Sequence, residues 1–182
     1  MNKEIELKAW VEQPEIVRTK LESLYGRPQP LEKDDIYYIY RHNTLPEWGQ
    51  PVRLRTENGI NVVTLKQKSV SNGIECNNEL EFEVDKPENF IKYMQLTGAD
   101  AWLTKKKRGW KFAADVNGHE AVIELCEVLT LGWFLEIEIV LSTDNNDRIA
   151  ESKAQIMKIL NSAGVSEDRI ESRFYSELLK GK

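Results

Sequence analysis

Over much of this chain apolar and polar residues alternate with a period of two, the signature of strands with one apolar face. The alternation predicts strands over residues 3–11, 35–40, 52–56, 60–68, 79–84, 120–128 and 134–141. A further strand pair is expected over 101–108 and 110–116, bent at Gly109. Asn58-Gly59 and Asn117-Gly118 read as hairpin turns, since both residues tolerate positive φ. Residues 69–73 form a polar turn, and a loop carries Asn43, Pro46 and Gly49. Helical spacing replaces alternation in four places. Pro14 opens a helix with Ile16, Val17, Leu21 and Leu24 on one stripe and Gly26 as its stop. Pro87 opens a second, with Phe90, Ile91, Met94 and Leu96 apolar and Gly98 at its end. Residues 147–163 and 166–179 read as helical to the C-terminus. Many meandering strands and few helices, with no low-complexity linker or repeat, predict one α+β domain over residues 1–182. Its antiparallel sheet is expected to curl into a barrel.

The charged positions share the period of the strands. Glu4, Glu6 and Lys8 project to one face of the first strand, opposite Ile5 and Leu7. Arg53 and Arg55, Lys66 and Lys68, Glu79, Glu81 and Glu83, Lys106 and Arg108, and Glu136 and Glu138 repeat the i, i+2 spacing. In an open sheet this pattern is a solvated face, and periodicity alone favours that reading. In a closed barrel the apolar positions can instead face outward under helices while the charges line a lumen. Two features point to the lumen. The helices carry apolar stripes that need an apolar sheet face, and arginine's planar fork of donors suits phosphate oxygens. Basic groups for phosphate and carboxylates for a hard divalent cation together suit a polyphosphate.

Composition narrows the classes further. A hydrophobic share of 41% and a charged share of 30% describe an ordinary globular chain. The net charge of −5 argues against a general nucleic-acid binder. In Lys105-Lys106-Lys107-Arg108, alternation sends Lys106 and Arg108 one way and Lys105 and Lys107 the other, so no continuous basic surface is expected. No apolar run is long enough for a membrane helix and the N-terminus is unlike a secretory signal, which predicts a cytoplasmic protein. Cys76 and Cys126 make no metal-binding spacing, and His42 and His119 are isolated, so no histidine-based site is expected. The tryptophans Trp10, Trp48, Trp102, Trp110 and Trp133 read as packing residues.

In order along the chain, Glu4-Ile5-Glu6-Leu7-Lys8, Asp35-Ile36-Tyr37-Tyr38, Arg53-Leu54-Arg55, Thr64-Leu65-Lys66, Lys106-Lys107-Arg108 and Leu131-Gly132-Trp133-Phe134-Leu135-Glu136-Ile137-Glu138 resemble the CYTH superfamily of triphosphate tunnel metalloenzymes. Arg173-Phe174-Tyr175-Ser176-Glu177-Leu178-Leu179 is similar to the closing segment of its cyclase-like branch. The resemblance implies an eight-stranded antiparallel β-barrel flanked by helices, with a small-molecule triphosphate bound inside. It implies that Lys8, Arg53, Arg55, Lys66, Lys106 and Arg108 bind phosphate. Mg²⁺ or Mn²⁺ is implied on Glu4, Glu6, Glu81, Glu124, Glu136 and Glu138. The implied catalytic set is Glu4, Glu6, Lys8, Glu136 and Glu138.

One departure stands out. Leu125-Cys126-Glu127-Val128 places Cys126 where the family often has a metal-associated aspartate, and a thiol is a poor ligand for Mg²⁺. Glu124, two residues earlier on the same face, is the nearest substitute. The resemblance is compatible with hydrolysis of a triphosphate, with cyclisation of ATP to cyclic AMP and pyrophosphate, or with binding alone, and the missing aspartate favours hydrolysis over cyclisation. Neither nucleic acid nor a membrane is an expected partner, and the chain is expected to be a monomer or homodimer.

Overall fold

The computed structural model describes residues 2–41, 51–116, 118–142 and 145–181. The loop carrying Asn43, Pro46 and Gly49, together with His42, Trp48 and the Asn117 half of the second turn, lies outside the described residues. In chain order the elements are β1 (Asn2–Val11), α1 (Pro14–Tyr25), β2 (Gln29–Tyr40), β3 (Val52–Glu57), β4 (Ile60–Gln67), β5 (Val70–Ser71), β6 (Ile74–Glu83), α2 (Pro87–Leu96), β7 (Ala99–Val116), β8 (His119–Val128), β9 (Gly132–Leu141), α3 (Asn146–Ser162) and α4 (Tyr175–Lys180).

All sheet pairings are antiparallel, in the order β1-β9-β8-β7-β2-β3-β4-β6, and a further pairing of β6 with β1 closes the ring. Eight strands therefore make a barrel, and the two-residue β5 lies beside β6 at its margin. Closure satisfies the backbone groups that an open sheet leaves unpaired. Asn58 (φ 51°) and Gly59 (φ 79°) join β3 to β4 in the expected hairpin turn.

The apolar side of the strands faces outward. Ile5, Leu7, Ile123, Ile137 and Ile139 are buried outside the barrel with Val17 and Leu21 of α1 and Ile156 and Leu160 of α3. Val52, Leu54 and Val63 pack with Met94 of α2 in a second cluster. Ile16, Leu24 and Leu96, counted in the apolar stripes of the first two helices, are instead exposed. Packing on a convex barrel uses a narrower stripe than the sequence offers. Among the described residues no helix is long and apolar enough to cross a membrane.

Three expectations are corrected. The bent pair at Gly109 is one continuous strand, β7. A Cβ at Gly109 would lie 2.2 Å from the Leu125 carbonyl oxygen, so the glycine allows close approach of β8 rather than a break. Strands β2 and β6 start earlier than their hydrophobic patterns, because Lys33, Glu75 and Asn77 are buried polar residues that conceal the strand. The expected helix over 166–179 is mostly not helical. A 3₁₀ turn at Glu167–Arg169 is followed by extended chain, in which Ile170 bridges Ala9 and the Glu171 N–H donates to the Lys8 carbonyl at 2.9 Å. Only Tyr175–Lys180 returns to helix. Pairing with β1 outcompetes the local helical preference there.

Candidate functional site

Alternation decides what enters the barrel. On β1, Glu4, Glu6, Lys8 and Trp10 face inward. Their cross-strand partners face the same way: Glu6 is opposite Glu138, Lys8 opposite Glu136, and Trp10 opposite Phe134. A cavity of about 210 Å³ runs inside, lined by Glu4, Glu6, Lys8, Arg53, Arg55, Lys66, Glu81, Glu124, Glu136 and Glu138 among others. The structure thus brings together every expected site residue except two.

Lys106 and Arg108 are the exceptions. They sit on the outer wall, where Lys106 is 3.5 Å from Asp34 and Arg108 pairs with Glu32 at 2.9 Å and Asp34 at 3.0 Å. Their intervening neighbours Lys105 and Lys107 line the cavity, together with Lys111. The parity was legible. Trp110 and Phe112 share a face with Lys106 and Arg108, and both pack against the outer core. The rule that turns Ile5 and Leu7 outward, applied to β7, turns Lys106 and Arg108 outward too.

Sequence reasoning also missed Lys33, Asp35, Glu75, Asn77 and Tyr175, and left Lys68 and Glu79 outside the site. All of these but Asn77 border the cavity or, for Asp35, pair with its lining; Asn77 donates to Glu4 and Glu75 at 3.1 and 3.2 Å. Asp35 is the clearest loss. It accepts two hydrogen bonds from Arg55, at 2.7 and 2.9 Å, and lies 3.1 Å from the Lys105 ammonium. Burial would raise its pKa, but Arg55 and Lys105 hold it well below the usual range. Its signal was the Asp35-Ile36-Tyr37 alternation.

The lumen divides into two charge neighbourhoods. In the first, Lys66 lies among carboxylates, 2.5 Å from Glu4, 3.8 Å from Glu6 and in contact with Glu79. Burial opposes ionisation of Glu4, yet Lys66 and hydrogen bonds bring its pKa down to about 2. Glu6 is pushed up to about 7, by burial and then by the charges of Glu4 and Glu75. Glu138 is raised well above the carboxylate range for the same reasons, with Glu4 and Glu6 the charged neighbours. Glu79 also rises to about 7, chiefly through burial. Negative charge is crowded here and a cation is wanted.

The second neighbourhood is basic. Lys107 contacts Glu136 and lies 3.6 Å from Glu124; Lys33 contacts Glu124 and lies 3.5 Å from Glu57; Lys8 lies 2.8 Å from Glu75. Burial works against ionised Glu136, but Lys107 and Lys105 keep it far below the usual range. Glu124 is lowered in the same way by Lys107 and Lys33. Arg53 stands at the rim, donating to Thr64 at 2.8 Å and to Glu81 at 3.4 Å.

One end of the lumen is apolar. Leu31, Cys126, Val128 and Phe134 face inward and pack with Trp10 of β1 and with Tyr175 and Leu178 of α4. Cys126 is fully buried in this plug, its thiol 3.5 Å from Glu136, and burial pushes its pKa up. It therefore lies in an apolar layer, beside the basic neighbourhood and on a different part of the wall from Glu4, Glu6 and Glu138.

The donors around Lys66 fit a hard divalent cation in kind, since they are carboxylate oxygens whose mutual repulsion an ion would relieve. Among the described residues no three acidic, histidine or cysteine side chains are gathered closely enough to hold an ion as they stand. Lys66 occupies the middle of the cluster.

The CYTH domain matches residues 2–175. The chain belongs to the CYTH domain family. A Methanocaldococcus jannaschii member provisionally named an adenylate cyclase is 28% identical over 148 residues, 80% of each chain. The PH1012 protein of Pyrococcus horikoshii is 30% identical and superposes with a TM-score of 0.77 over 96% of this chain and 98% of its own. HpAC1 of Hippeastrum, provisionally an adenylyl cyclase and reported with a dominant triphosphatase activity, shares the fold. Its TM-score is 0.69 at 16% identity, over 100% of this chain and 97% of its own. The eight-stranded tunnel of this family is the barrel seen here.

Proposed function

We propose that the chain hydrolyses the terminal phosphoanhydride of a triphosphate drawn into the tunnel. The observation that carries this reading is the division of one enclosed, charged lumen into a basic wall and a crowded acidic cluster. The fold houses a dominant triphosphatase activity in the Hippeastrum protein.

Lys8, Lys33, Lys105, Lys107, Arg53 and Arg55 would neutralise and align the phosphates, with the resident carboxylates Asp35, Glu75, Glu124 and Glu136 keeping them oriented before substrate arrives. Lys66 would hold a phosphate oxygen at the boundary with the acidic cluster. Glu4, Glu6 and Glu138 are the residues that would hold Mg²⁺ or Mn²⁺, which would supply charge neutralisation at the phosphate oxygens. Glu79, outside that ligand set and raised to about 7, is a tunnel carboxyl that would accept the proton of an attacking water. Placing Glu124 and Glu136 with the lysines rather than the ion narrows the ligand set that the sequence suggested. Glu81, 44% exposed and 3.4 Å from Arg53, is a rim residue in this scheme.

Purified protein with Mg²⁺ or Mn²⁺ is expected to release orthophosphate from inorganic triphosphate, thiamine triphosphate or ATP. Cyclic AMP and pyrophosphate from ATP, without orthophosphate, would replace hydrolysis with cyclisation, the reaction named for the Methanocaldococcus relative. Triphosphate binding with neither product would reduce the domain to a binder.

A further inference from the structure

The C-terminal segment contributes a side chain to the basic wall. Tyr175, the first residue of α4, places its hydroxyl 2.5 Å from Glu136. Its ring centre lies 4.7 Å from the Lys105 ammonium, 5.3 Å from that of Lys107 and 5.6 Å from that of Lys8. Lys8 belongs to β1 and the other two to β7, and these strands are separated in the sheet by β9 and β8. The ring is thus a common contact for ammonium groups from strands that do not pair. Phe134 braces it edge-on, with ring centres 5.0 Å apart.

The segment carrying Tyr175 is tied to β1. Ile170 bridges Ala9, the Glu171 N–H donates to the Lys8 carbonyl, and Glu171 accepts hydrogen bonds from the Trp10 indole at 3.0 Å and from Arg173. The backbone of Lys8 and the position of Tyr175 are therefore fixed relative to one another.

We propose that Tyr175 is a positioning residue for the phosphate-binding lysines, an inference that rests on the triphosphate reading. Carboxylates hold Lys8, Lys105 and Lys107 individually, but each also competes with phosphate for the ammonium charge. An aromatic face attracts an ammonium through its quadrupole without neutralising it. The Tyr175 ring keeps the three lysines converged while leaving their charge for the substrate.

The test compares full-length wild type with Tyr175→Phe, Tyr175→Met and Leu178→Ala, measuring calorimetric binding of inorganic triphosphate, melting temperature and the separate effects on kcat and KM. Tyr175→Met removes the ring and is expected to weaken triphosphate binding about tenfold. KM should rise in parallel and kcat should change less. Tyr175→Phe keeps the ring and should bind within about twofold of wild type. Leu178→Ala loosens the plug and should lower the melting temperature without this loss of affinity. Wild-type affinity in Tyr175→Met, or a tenfold loss in Tyr175→Phe, overturns the proposal, and the second result does so even if Tyr175→Met does not fold. A wild-type protein that binds no triphosphate instead overturns the tunnel reading itself, and the inference with it.

Discussion

Lys106 and Lys107 are adjacent and chemically identical, yet they live in different solvents. The Lys106 side chain is 54% exposed and lies 3.5 Å from a half-exposed Asp34. The Lys107 side chain is 4% exposed, held between Glu136 and Glu124 on the inner wall, and its pKa is raised well above normal because those carboxylates outweigh its burial. The outer pair is screened by water and contributes little. The inner ammonium has no solvent to fall back on, so its carboxylates and any incoming phosphate decide its energy. One strand therefore supplies both a solubilising surface and a binding wall, and residue parity separates them.

Replacing the inner lysine should have the largest effect. Lys107→Met is expected to reduce triphosphate turnover by roughly 100-fold or more. It should also destabilise the fold, because among the described residues Glu136 would keep the Tyr175 hydroxyl and the Cys126 thiol as its hydrogen-bond donors. Steady-state kinetics and thermal melts check both. Comparable activity in this variant and wild type would erase the distinction between the two faces.

Cys126→Asp should act mainly on stability. It adds a buried carboxylate to an apolar layer beside Glu136, at a cost of about 2–4 kcal/mol in chemical denaturation. The metal dependence of turnover should stay as in wild type, since Cys126 lies apart from Glu4, Glu6 and Glu138. A new metal response would show that this position reaches the ion after all.

The acidic cluster should report on pH. Glu6 and Glu79, raised to about 7 in the fold, retain protons there that the unfolded chain releases near its ordinary carboxylate pKa of 4.5. The folded state then binds more protons between those values, so the stabilising contribution of these groups falls as pH rises through the window. Metal affinity should change in the opposite direction, since an ion must displace those protons. Titration of Mn²⁺ at pH 6 and pH 8 should give severalfold tighter binding at the higher pH; equal affinities would remove Glu6 from the ion site.

The smallest effect is expected on the outer face. Lys106→Ala should leave kcat, KM and melting temperature close to wild type, with a stability change of about 0.5 kcal/mol or less. A large kinetic loss would restore the outward lysine to the site.

Much of the architecture was legible because strand period, proline-opened helices and the Asn58-Gly59 turn are local signals. Of the twelve site residues that the sequence and its resemblance suggested, ten lie on the cavity wall. The misses have three causes, the first being strand parity left unapplied to β7, which turns Lys106 and Arg108 outward. Lys33, Glu75 and Asn77 are buried polar residues, which a hydrophobic pattern scores as loop or surface. The 166–179 segment takes its shape from Ala9 and Lys8 far away in sequence, so helical propensity could not foresee its extended half.

Alternation along each strand by itself determined which residues share a face, because successive side chains must point to opposite sides. It also determined that the charges come in sets that burial would penalise unless they were paired. Which face became the interior was settled by closure of β6 on β1 and by helices covering the apolar side. Those long-range contacts turned a charged face into a lumen, placed Lys107 inside and Lys106 outside, and brought Tyr175 to Lys8, Lys105 and Lys107.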